Sequence, residues 1–175
     1  MEQPENVVVP VAPLDDVDEW SRYEIARTTQ DFEEISLSIP KLDNMVSEMK
    51  KVLKEVKAAD SMEKSLVKHE KMEQTMQESM AQRKYCRDFL KGMKRTAIKV
   101  VELHADTDHE SVQRFVCHLR QLLIKIAELE ENVEARMLKV LRLADESLKS
   151  YNNWHQSSYD EMEYPSPPSS PEKTY

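Results

Sequence analysis

Glycine is almost missing from this chain: among 175 residues there is one, Gly92. Tight hairpin turns depend on glycine, so little hairpin chemistry is present and no sheet is expected. Aromatic residues are scarce, with three phenylalanines against ten methionines. That balance predicts an adaptable apolar surface rather than a large rigid core. Long apolar runs are missing too: none approaches the ~20 residues a bilayer requires, and no basic-plus-apolar leader resembles a signal peptide. The two cysteines, Cys86 and Cys117, fall in separate stretches without CxxC spacing. They read as free thiols in a reducing compartment. A soluble cytoplasmic protein is the expectation, with a cytoskeletal or nuclear location left open.

The motifs of chemistry are also lacking. There is no glycine-rich phosphate loop, no GxSxG elbow and no HExxH pair. The segment His104–Glu110 is acidic, but it has neither the glycine nor the twelve-residue register of a calcium loop, so helix capping is its reading. His69, His118 and His155 read as polar helix residues. No metal, cofactor or catalytic group is expected, and the chain reads as a non-enzyme. The net charge of −8 argues against a dedicated DNA-binding domain.

What the chain does have is helical periodicity. From Val112 the positions Phe115, Leu119, Leu122, Ile126, Leu129, Val133, Arg136, Val140 and Leu143 follow at alternating steps of three and four. All but Arg136 are apolar, which places them on one seam of a long helix. A second row of Val116, Leu123, Met137, Leu141 and Leu148 widens that seam, and a wide face needs more than one neighbouring helix. A second heptad runs through Ile25, Thr28, Phe32, Ile35, Ile39, Leu42, Val46, Met49, Leu53 and Val56, apolar everywhere except Thr28. Pro40 interrupts it. Inside a helix a proline costs about 3 kcal/mol, so a break is expected near Ser38–Pro40 with the seam kept across it.

Between these heptads the pattern is poorer. Its best apolar row is Met62, Leu66, Met72, Met76 and Met80, then Cys86, Leu90, Met93, Ala97, Val100 and His104. Asp60–Glu63 has the form of a capping box, but Ala58 and Ala59 before it would carry a helix through, so a turn near residue 60 is left open. Thr107 with Glu110 is the better capping box and opens the last helix. Trp20 and Tyr23 are expected to cap one end of the bundle. The fold class is therefore all-α: an elongated bundle or coiled coil of three to four helices over 15–155. A flexible arm at 1–14 and a disordered tail at 156–175 are expected to flank it.

Two surfaces carry candidate function. Arg83, Lys84, Arg87, Lys91, Lys94, Arg95 and Lys99 form a basic run relieved by Asp88, spread around more than one helix face. It offers a seat for an acidic segment or a nucleic-acid backbone. In the tail, Ser170-Pro171-Glu172-Lys173 resembles the Ser-Pro-x-Lys substrates of cyclin-dependent kinases, and Ser166-Pro167 is a second proline-directed site. Tyr159-Asp160-Glu161-Met162 resembles the YxxM motifs read by SH2 domains or sorting adaptors.

Together these features resemble the small coiled-coil subunits of kinetochore, spindle or centrosomal complexes. The resemblance implies a structural subunit of a cell-division assembly, regulated by phosphorylation of Ser166 and Ser170, with other coiled-coil proteins as partners. A homodimer is the simpler oligomer that the same seam serves. A trafficking adaptor, favoured by Tyr159, and a nucleic-acid-associated factor using the basic run are the alternatives.

Overall fold

The computed structural model describes residues 17–163, with side chains from Glu19 onward apart from His155 and residues 157–163. The expected arm, the end of the expected tail, and with them Ser166 and Ser170, lie outside the described residues. Four helices follow one another: α1 (Val17–Ser36), α2 (Ser38–Ala58), α3 (Met62–Leu103) and α4 (Glu110–Glu163). The fold is an all-α helical bundle.

Each boundary has a local cause. The break between α1 and α2 falls at Leu37, one residue ahead of the expected span, where the Leu37 N–H turns back to the Glu34 carbonyl at 3.2 Å. Pro40 becomes the third residue of α2, where the missing N–H would have had no helical partner anyway. A turn does fall near residue 60, but its cap is Ser61 rather than Asp60. Ser61 Oγ accepts the Lys64 N–H at 3.2 Å, and Asp60 instead pairs with the Lys64 ammonium at 2.8 Å. At the start of α4, Thr107 Oγ1 accepts the His109 N–H at 3.4 Å and the His109 carbonyl takes the first helical bond from Gln113 N–H at 3.0 Å. His109 is thus the capping position, and the expected reciprocal box from Thr107 to Glu110 gives way to a turn preceding it. The last helix passes the expected end at 155 and continues to Glu163.

The described residues gather into two compact units, one of 17–37 with 85–131 and one of 38–84 with 132–163. Long α3 and α4 contribute to both. The first unit packs α1 against the second half of α3 and the first half of α4. Its buried seam includes Ile35, Leu90, Ala97, Val100, Phe115, Leu119, Leu122 and Ile126. Trp20 caps it as expected, edge-on to Phe115 with centroids 5.0 Å apart, whereas Tyr23 is exposed. The second unit packs α2 against the first half of α3 and the second half of α4. Leu42, Val46, Met49, Leu53, Val56, Met72, Val133, Met137 and Val140 form its interior.

The seam of α4 lies where its periodicity put it: from Val112 to Val140 every apolar a/d residue is buried, and Arg136 lies at the edge, bonded to Asp43 at 3.0 Å. In the α1–α2 heptad, Ile25 and Phe32 are only half-buried. The expected α3 row is buried at Met72, Cys86, Leu90, Ala97 and Val100 but departs from expectation elsewhere in the first half. Met62 and Leu66 are half-buried and Met80 is exposed, while Ser65, His69, Thr75 and Ser79 occupy the interior. Thr75 and Ser79 satisfy their hydroxyls by donating to the carbonyls four residues back, at 3.1 and 2.8 Å. That removes most of the cost of burying them.

Candidate interaction surfaces

The basic run divides into two kinds of residue. Arg83 leaves the candidate patch altogether. Its Nε and Nη2 donate to the two carboxylate oxygens of Glu134 at 2.7 and 3.0 Å, a two-point bond that joins α3 to α4. Lys84, Arg87, Lys91, Lys94, Arg95 and Lys99 are exposed. At 100° per residue the five from Arg87 to Lys99 fall within an arc of roughly 140° that also holds Asp88, so they share one broad outer face rather than several.

Of the histidines expected as polar helix residues, His69 is buried and His118 half-buried, and both bond across helices. His69 lies inside the second unit, with Nδ1 2.8 Å from Ser147 Oγ, Nε2 3.3 Å from Glu73 Oε1, and its ring stacked on Tyr151 at 5.5 Å. A carboxylate only accepts, so Nε2–H donates to Glu73, and in the neutral ring Nδ1 accepts the Ser147 hydroxyl. Serine, histidine and carboxylate stand in the order of a nucleophilic triad. Ser147 is 0% exposed, however, and no substrate reaches a hydroxyl buried that way. The cluster locks α3 to α4. His118 stands between α1 and α4 in the first unit, with Nε2 3.1 Å from Thr28 Oγ1. Thr28 gives its one hydroxyl hydrogen to the Glu24 carbonyl at 2.9 Å, so its oxygen accepts from His118 Nε2–H. Burial, with Lys125 as a smaller cause, holds this ring below the ordinary histidine value.

Two apolar features were not foreseen. The first is a strip in the second unit. The Arg83–Glu134 and His69–Ser147 bonds set the antiparallel register of α3 and α4, so Met76 and Met80 stand level with about Leu141 and Met137. Along that edge Leu138 is 62% exposed, Leu141 47%, Leu148 43% and Met80 47%. Leu141 and Leu148 belong to the second row of α4. That row is covered at Val116 and Met137 and half-covered at Leu123, then loses its cover. The row was legible in the sequence; which part of it the chain itself would cover was not.

The second feature is a groove of about 370 Å³ in the first unit, between α1 and α3, with α4 as its floor. Phe89, Met93, Ala97, Val100, Phe115, Leu119 and Leu122 make it apolar, and Glu24, Arg27, Asp31 and Asp88 line it as its polar residues beside Thr28 and Thr96. Gly92 opens one wall: a Cβ placed there would meet nothing within 4 Å.

Tyr159 falls in the last turns of α4, a helical rather than extended setting for its motif. No helix among the described residues is long and apolar enough to cross a membrane. Among the same residues no group of three or more histidine, cysteine, aspartate or glutamate side chains is placed to hold a metal ion. No family model, no curated protein and no solved structure matches the chain.

Proposed function

We propose that this chain is a non-enzymatic helical subunit of a multi-protein assembly, and that it docks a partner helix along the α3–α4 edge of its second unit. The observation that carries the reading is the exposed row Met80, Leu138, Leu141 and Leu148. Apolar side chains scattered singly over a surface need no explanation, but a row of them along one helical edge supports an interaction site. Methionine at its border suits a surface that adapts to its partner. The strip continues a seam whose buried part is ordinary bundle core, so a partner helix would extend the same packing outward.

The Ser170-Pro171-Glu172-Lys173 sequence supports an assembly of dividing cells. Phosphate on Ser166 or Ser170 adds up to about two negative charges at each site and provides a ligand for a basic pocket.

The test is native purification of the tagged full chain from dividing and resting cells. A fixed stoichiometric set of helical proteins, lost when Leu138 and Leu141 are both changed to glutamate, is the expected result. Recovery of the chain alone, or the same set on the double variant, would overturn the reading.

A further inference from the structure

We propose that the basic outer face of α3 within the first unit, from Arg87 to Lys99, is the seat of this chain's own acidic segment 1–16. The contact lies apart from the α3–α4 strip and does not depend on it.

The face itself is the first observation. Arg87, Lys91, Lys94, Arg95 and Lys99 are all exposed, and among the described residues none of them enters an ion pair. The second unit treats its cations differently. Lys57, Lys68, Lys71 and Arg83 each reach a glutamate on a neighbouring helix, at 3.5, 2.8, 3.6 and 2.7 Å. Arg87, Lys91, Arg95 and Lys99 follow one another at steps of four, a spacing at which like charges destabilise a helix. Asp88 and, past its end, Glu102 share the face, so the cations outnumber the carboxylates five to two. An anionic segment laid along this ladder relieves the repulsion.

Charge selects the occupant. Residues 1–16 hold Glu2, Glu5, Asp15 and Asp16 and no lysine or arginine. The other end of the chain fits less well, since Glu172 and Lys173 cancel between Tyr164 and Tyr175.

Reach agrees with charge. α1 begins at Val17, and Trp20 in its first turn stands 6.4 Å from His104, just past the end of α3. The segment therefore joins the bundle beside the Lys99 end of the face. From Val17 back to Glu5 an extended chain covers up to about 40 Å, and Pro4, Pro10 and Pro13 favour extended backbone. The face from Lys99 to Arg87 is only about 18 Å long. That reach brings Glu5 and Glu2 level with Arg87 and Lys91, with Asp15 and Asp16 toward Lys99 and Arg95. So short a tether holds the carboxylates at roughly millimolar effective concentration, so exposed pairs that are weak one by one suffice together.

The experiment compares backbone-amide NMR spectra of the purified full chain and of its Glu2→Gln, Glu5→Gln double variant, both substitutions lying outside the described residues. Neutralising the two glutamates should shift the amides from Arg87 to Lys99, and raising salt should move the wild type toward the same positions. Arg87→Glu with Lys91→Glu should shift the amides of the segment in turn. Adding Glu2→Lys and Glu5→Lys to that variant should recover most of the wild-type pattern, with helicity and the urea midpoint confirming that each variant folds. Shifts confined to the neighbours of the substituted glutamates, or no recovery in the charge exchange, overturn the proposal. Shifts that vanish on dilution would also overturn it, by giving the face to the segment of a second copy. So would tight binding of a fluorescein-labelled DNA duplex that is the same for the wild type and the glutamine variant, by giving the face to a nucleic-acid backbone.

Discussion

Arg83 and Glu134 meet across α3 and α4 in a two-point ion pair, Nε to Oε1 at 2.7 Å and Nη2 to Oε2 at 3.0 Å. One residue thereby leaves the candidate basic patch and becomes a register pin for the second unit. Both side chains are about a third to a half exposed, so the pair is screened and its contribution is modest. Arg83→Ala is expected to cost about 0.5–1 kcal/mol, the upper part of the range for exposed pairs because the geometry is bidentate. Urea unfolding checks it, and the exchange of Arg83→Glu with Glu134→Arg should recover much of the loss. No loss in the single variant would show that the pair is not holding the two helices.

Ile126, 1% exposed, sits at the centre of the α4 seam. Ile126→Ala should lower stability by about 2–5 kcal/mol through lost burial and the cavity left behind. Ile126→Asp, which buries a charge without a partner, should cost more and unfold the bundle. Retained helicity in the aspartate variant would mean that the seam is misplaced.

His118 gives the fold a pH dependence of known sign. Burial disfavours its charged form and sets the folded value below the ordinary 6.5. Below 6.5 the unfolded chain therefore binds more protons than the folded one. The contribution is complete above 6.5, falls as pH drops below it, and levels off beneath the lowered folded value. The urea midpoint of the wild type should therefore fall relative to that of His118→Gln as pH is taken below 6.5. A difference between the two that does not change with pH would contradict the assignment.

Gly92 lies inside α3, exposed, with no positive φ and open space at its Cβ. Nothing in the backbone requires glycine there. Gly92→Ala should stabilise the chain by about 0.5–1 kcal/mol, mainly by restricting the unfolded state. Thermal unfolding of the two proteins side by side measures this. A destabilised alanine variant would reveal a close neighbour that the structure does not contain.

Sequence periodicity was a good guide wherever the buried residues were apolar. Leu119, Leu122, Ile126, Val133 and Val140 on α4, and Leu42, Met49 and Leu53 on α2, lie in the core that their spacing implied. On α3 it held for Met72, Cys86, Leu90, Ala97 and Val100, and it failed over part of the first half, where Ser65, His69, Thr75 and Ser79 are buried while Met80 is not. A small polar residue looks the same in a sequence whether it faces water or a neighbouring helix, and the partners that settle it, such as Ser147 for His69, lie far away in the chain. The candidate sites were legible to different degrees. The basic run was visible as composition, yet only the Glu134 contact separates Arg83 from the rest. The groove left no sequence signal except the lone Gly92, whose meaning depends on the helices around it.

The most direct test of the docking account is in-cell cross-linking of the full chain with a photoreactive residue at Leu141, against the same residue at Lys139 on another face of α4. The account predicts that Leu141 traps the apolar face of one helix in one partner protein, reproducibly, and that Lys139 does not. Equal, scattered cross-links from both positions, or none from Leu141, would contradict it.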